Sequence, residues 1–174
     1  MPASSRRYVA FLRGVSPLNA KMPELKRAFE LAGFTDVRTL LTSGNVVFSA
    51  RSVSEAALAR KAEAAMKQHL DRSFVTFIRS VDGLRELLES EPYASFPTKR
   101  GFKRVVTFLA SPPKTKLALP LEINGARILK LKGREVFGDY REHDRGPAFM
   151  TLLQKLFGKN ITSRTWQTVE KAAR

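Results

Sequence analysis

A chain of 174 residues with an apolar share of 43% can bury the core of one ordinary domain or of two small halves, and its evenly mixed charges exclude long disordered stretches. It has no cysteine, which excludes disulfides, thiolate metal sites and cysteine nucleophiles, and no apolar run nears the ~20 residues of a membrane span. The net charge of +15 is uneven, with 14 Lys and Arg against 10 Asp and Glu in residues 1–98 and 17 against 6 in residues 99–174, an excess that attracts phosphates, nucleic acid or acidic partners.

Tyr8 to Leu12 is a short β-rich run that ends at Arg13-Gly14. The interruption at Arg13 makes it too short for the apolar region of a signal peptide, and a cytoplasmic location is expected. Pro17 and Asn19 keep the next stretch irregular. Met22, Leu25, Phe29 and Ala32 then repeat at helical spacing, with Pro23 in the first turn and Gly33 just past the end. Val37–Leu41 and Val46–Phe48 are strands joined by a turn at Ser43-Gly44-Asn45. Ser52 with Glu55 resembles a capping box, opening a helix to about His69 whose inner face is Leu58, Ala62, Ala65, Met66 and then His69 or Leu70. Phe74–Ile78 is a fourth strand. Residues 8–78 thus spell βαββαβ, the ferredoxin-like order, and a short helix follows from about Asp82 to Leu88.

Glu91–Pro97 reads as a loop opening a second half. Lys103–Ala110 is a strand stopped by Ser111-Pro112-Pro113, and Ala126–Leu131 and Glu135–Tyr140 flank a hairpin turn at Lys132-Gly133-Arg134. Phe149–Phe157 is a helix closed by Gly158. Thr162 caps a last helix with Trp166, Val169 and Ala173 on one buried face. The expected fold is α+β, a ferredoxin-like half over residues 1–90 packed on a smaller, basic βββαα half over residues 91–174 that shares its core.

In a right-handed split βαβ unit the first two strands run parallel, so the loops after them share one edge of the sheet. This makes Arg13, Asn19, Lys21, Ser43 and Asn45 candidates to hold an anion beside the N–H groups that open the first helix. The same pattern also has a purely local reading, in which Gly44 and Asn45 shape a turn and Ser43 caps it.

Five segments together, AFLRG (Ala10–Gly14), KMPELK (Lys21–Lys26), GFTDVRT (Gly33–Thr39), SGNVVF (Ser43–Phe48) and ITSRTWQTVEK (Ile161–Lys171), resemble the bacterial family of domain of unknown function 1697. The resemblance spans essentially the whole chain and implies an α+β fold with a ferredoxin-like first half; it implies no activity. Many members carry a Gly-Gly pair after the first strand, where this chain has Ser16-Pro17-Leu18-Asn19, which weakens a phosphate nest there. The closing signature Thr-x-Arg-Asn-Trp-Asn-Thr is met with Thr165 and Gln167 in place of its two Asn residues, while Arg164, Trp166 and Thr168 are kept. Arg164, expected on the first turn of the last helix, joins the candidate ligand contacts.

No nucleophile elbow surrounds Ser43, and His69 and His143 lack metal-ligand spacing. No cofactor motif is present. Asp139, Glu142, His143 and Asp144 cluster, but Arg141 and Arg145 interleave, and a solvated loop is expected. Residues 99–134 hold one acid, Glu122, among ten cations. Lys99, Arg100, Lys103, Arg104, Lys130, Lys132 and Arg134 are the candidates for a nucleic-acid backbone. Arg100-Gly101-Phe102 resembles the start of an RNA-recognition signature that the following residues do not continue. The leading expectation is a binding protein for an anionic ligand, nucleic acid first. The alternatives are an enzyme for a phosphorylated or acidic small molecule at the Arg13/Ser43/Asn45 edge, and a protein-interaction module.

Overall fold

The computed structural model describes residues 4–114, 116–141 and 147–174. The chain divides into two compact units, Met1–Glu86 with Ala172–Arg174, and Leu87–Lys171. None of the described helices is long and apolar enough to cross a membrane.

The first unit runs β1 (Ser5–Leu12), α1 (Met22–Leu31), β2 (Thr35–Leu40), β3 (Asn45–Arg51), α2 (Glu55–Leu70), β4 (Thr76–Ser80) and the start of α3 (Val81–Glu89). Its sheet has the order β2-β3-β1-β4. β1 and β2 are each antiparallel to β3, and so run parallel to one another. This is the ferredoxin-like topology that the βαββαβ order implies. Pro23 fits the first turn of α1, and the spacing of Leu25, Ala28 and Phe29 turns one stripe of it inward. That stripe and Leu58, Ala62 and Met66 of α2 pack with Tyr8, Ala10, Leu12, Val46, Phe48 and Ile78 of the sheet. Phe48 lies at the centre of this core. Phe34 stacks on it at 4.4 Å and Phe29 meets it edge-on at 5.6 Å. Truncating so buried a ring to alanine costs about 3–5 kcal/mol.

The cap of α2 is Ser54, not Ser52. Ser54 has the extended backbone of a cap and accepts a hydrogen bond from the Ala57 amide at 3.1 Å. Glu55 is therefore the first helical residue, and its carboxylate reaches across to the Ser80 amide instead of back to a cap. The inward residue at the end of α2 is Leu70, which packs against the core, while His69 is exposed.

The second unit runs β5 (Phe102–Leu109), β6 (Leu121–Ile123), β7 (Ala126–Lys132), β8 (Glu135–Arg141), α4 (Pro147–Phe157), β9 (Ile161–Thr165) and α5 (Trp166–Ala172). Five antiparallel strands take the order β6-β7-β8-β5-β9. Phe149, Leu152 and Leu153 of α4 pack on Val105, Leu109, Ala126, Ile128, Val136 and Ile161. The expected βββαα is thus ββββαβα. β6 is only three residues long and pairs with β7 at the edge. β9 replaces the helical turn expected at Thr162, because Ile161, Thr162 and Thr165 are β-branched and find an open edge on β5. The cap of α5 is Thr165, whose hydroxyl accepts from the Thr168 amide at 3.3 Å. Asp139 is a buried residue of β8; Glu142, His143, Asp144 and Arg145 of the acidic cluster lie outside the described residues.

Candidate nucleic-acid interface

The parallel run of β1 and β2 does bring the two polar loops of the first unit together. The Leu12 amide donates to the Gly44 carbonyl at 2.8 Å. Gly44 has φ +81, and a Cβ there would come within 2.7 Å of the Val15 side chain, so only glycine lets the loops approach this closely. The polar side chains, however, serve the loops themselves. Asn45 is fully buried, and its amide donates to the Leu40 carbonyl and the Ser43 hydroxyl, both at 3.0 Å. It offers nothing to a ligand, which corrects the sequence expectation: an amide closing its own turn is already satisfied. Asn19 accepts from the Ser16 amide at 2.9 Å and donates to the Gly14 carbonyl at 2.7 Å, bracing the loop. The cations left at this edge are half-buried Arg13, exposed Lys21 at the mouth of α1, and Arg72, which donates to the Asn19 carbonyl.

The second unit gathers charge differently. Alternation along each strand puts Phe102 and Arg104 of β5, Asp139 and Arg141 of β8 and Arg127 of β7 on one face, in register across three neighbouring strands. Asp139 lies between Arg104 and Arg127 in that register. It is 2% exposed and takes both forks of Arg127, Nε to Oδ1 at 2.7 Å and Nη2 to Oδ2. That pairing raises the pKa of the Arg127 guanidinium and fixes its plane. The same guanidinium lies 5.3 Å from the centre of the half-buried Phe102 ring. Arg141 approaches that ring at 5.6 Å, and so does Lys99. Lys99 gets there through a tight turn, in which the Phe102 amide donates to the Lys99 carbonyl and Gly101 takes φ +81. Three cations therefore ring one aromatic side chain, each within the range of a cation–π contact.

Of the basic residues marked in the sequence, Lys99, Arg100 and Arg104 lie at this end of β5. Lys103 lies beside them in sequence but points to the opposite face, across from Tyr140. Exposed Lys130 and Lys132 are further along, opposite Phe137 and Glu135, and Arg134 occupies the hairpin turn. Four residues separate Glu135 from Asp139, roughly 13 Å of strand. Lys132 is thus set apart from the Phe102 end, while Lys130, opposite Phe137, is two residues, roughly 7 Å, from Asp139. Arg164 is corrected outright. It is on β9, 8% exposed, and donates to the Thr162 hydroxyl at 2.7 Å and the Ser163 carbonyl at 2.8 Å. Burial pushes its pKa down to about 10, the mark of a charge held inside the fold.

Sequence patterns missed Arg127, Arg141 and Phe102 as members of one site, because only strand register joins them. They missed an aromatic cluster too. Trp166, expected in the core, is half-buried, with Tyr93 at 5.2 Å and Phe137 at 6.2 Å, both edge-on. The Tyr93 hydroxyl donates to the carbonyls of Val105 (2.8 Å) and Gly138 (3.1 Å), and Arg104 lies over its ring at 4.8 Å. Burial pushes the phenol well above its ordinary pKa.

Residues 6–137 match the family described as protein of unknown function DUF1697. The chain belongs to that family. Among solved structures, the chain is similar to the conserved bacterial protein SP0830 from Streptococcus pneumoniae, at 19% identity and a TM-score of 0.70 over 98% of each chain. At that identity the likeness concerns the fold alone. No curated protein matches this DUF1697 chain.

Proposed function

We propose that the protein binds single-stranded nucleic acid on the sheet of its second unit, around Phe102, and does so in the cytoplasm. The supporting observation is the ring of Lys99, Arg127 and Arg141 about one half-exposed phenyl group, with Arg100 and Arg104 alongside. A strand of nucleic acid needs two things from such a surface. Cations meet its phosphates, and an aromatic face stacks with an unstacked base, each stack contributing about 1–3 kcal/mol. A base pair within a duplex keeps its faces covered, so a single phenyl group on a sheet favours a single strand. Buried Asp139 holds the Arg127 plane in place beforehand, which lowers the ordering cost on binding.

The test is fluorescence anisotropy of a labelled single-stranded RNA over a salt series. Binding is expected at ~50 mM salt and should weaken steeply as salt rises, by a slope of about −0.7 per phosphate contacted. Phe102→Leu keeps apolar bulk and removes the stacking face, and a loss of roughly 5- to 150-fold is expected from the stacking energy above. Absence of binding at low salt, or a Phe102→Leu variant that binds like the parent, overturns the proposal.

A further inference from the structure

A groove of about 520 Å³ opens in the second unit beside Trp166, bordered also by Tyr93, Pro97, Arg104, Glu91 and Glu170. Arg104 belongs to it and to the Phe102 face alike, two residues along β5, roughly 7 Å away. The indole is propped from beneath by Tyr93 and Phe137 at 75° and 77°. Its N–H bonds to none of the described residues, and among these no buried side-chain nitrogen or oxygen lacks a partner, so the N–H is open to solvent. Glu91 and Glu170 are exposed, and neither pairs with a cation among the described residues. Two uncommitted carboxylates, an indole N–H and a guanidinium therefore border one aromatic-walled space.

Resting on the single-strand reading above, we infer that this groove reads a guanine base of the bound strand. Guanine alone among the four bases presents two adjacent N–H donors, N1–H and the N2 amino group, which a carboxylate accepts side by side. Its O6 and N7 are acceptors suited to an arginine or an indole N–H. Adenine and cytosine offer one amino donor each, and uracil one imino donor. Trp166 supplies the stacking surface, and Phe102 takes a neighbouring base.

Trp166 is the only tryptophan of the chain, so its fluorescence reports on this groove directly. The experiment titrates the full chain with the four nucleoside monophosphates. Guanosine monophosphate should quench saturably, with an affinity about tenfold above that of the other three. The double variant Glu91→Gln, Glu170→Gln should keep quenching and lose the preference. No quenching by any nucleotide, or four indistinguishable curves, overturns the inference. Anisotropy of a labelled oligouridylate, which has no guanine, separates this failure from that of the interface. If the oligomer binds in a salt-dependent way while guanosine monophosphate shows no advantage, the groove reading fails and the Phe102 interface stands. If neither binds, both fail. Trp166→Phe keeps the aromatic packing and should reduce binding of a guanine-containing strand to the oligouridylate level.

Discussion

Asn45 is a polar turn residue of the kind that sequence patterns offer as a ligand group, yet both hydrogens of its amide are used inside the fold. Asn45→Ala should therefore destabilise the chain by about 1–3 kcal/mol in urea unfolding, through the loss of buried hydrogen bonds, and leave RNA affinity unchanged. A variant that folds as stably as the parent would contradict the assignment. Tyr93 is the second residue whose chemistry is structural. Its hydroxyl ties β5 to β8 through two carbonyls, so Tyr93→Phe should cost about 1–3 kcal/mol at neutral pH. The pH dependence follows from burial. Below pH 10, the ordinary tyrosine value, the phenol is protonated in both states and the stabilisation is complete. Above it the unfolded chain loses the proton while the buried phenol keeps it, so the stability of the parent falls. The gap between parent and Tyr93→Phe should narrow as pH rises past 10. Buried Arg164 acts in the opposite sense above about 10, but it is common to both proteins and cancels in the difference. A gap constant with pH would show that the phenol is not shielded.

At the level of elements, the first unit was readable because its signals are local and agree. Helical spacing in α1, a glycine turn before β3 and alternating apolar residues all specify one βαββαβ order. The capping error at Ser52 shows how narrow such a signal is. Two serines two residues apart compete, and only the one whose hydroxyl meets an amide acts as the cap. Ser54→Ala should lower stability by about 1 kcal/mol in urea unfolding, and Ser52→Ala should leave it nearly unchanged. The reverse ranking would restore the sequence reading. β9 was missed for a different reason. Five residues with a serine and threonines look like a helix start, and only an unpaired edge on β5, far away in sequence, makes them a strand. The Phe102 face was unreadable on the same ground: Arg127, Arg141 and Lys99 come together through β-register and one glycine turn, neither of which spacing along the chain records.

For the molecule as a whole, the uneven charge was the most useful sequence signal, and it was a coarse one. It pointed to residues 99–174, where +11 of the net +15 resides, without saying which cations act together. Structure divides them. Lys103 turns away, Arg164 is interior, Lys132 stands apart, and Lys99, Arg127 and Arg141 assemble about an aromatic ring. The loop edge of the first unit, the other candidate site that the sequence offered, keeps Arg13 and Lys21 but loses Asn45 to the fold. Photo-crosslinking decides most directly between these two places. A single-stranded RNA carrying a photoreactive base, irradiated with the full chain and followed by mass spectrometry, should attach at Phe102 or its immediate neighbours on β5, β7 and β8. Adducts confined to the Arg13–Lys21 loop, or none at low salt, would contradict the account.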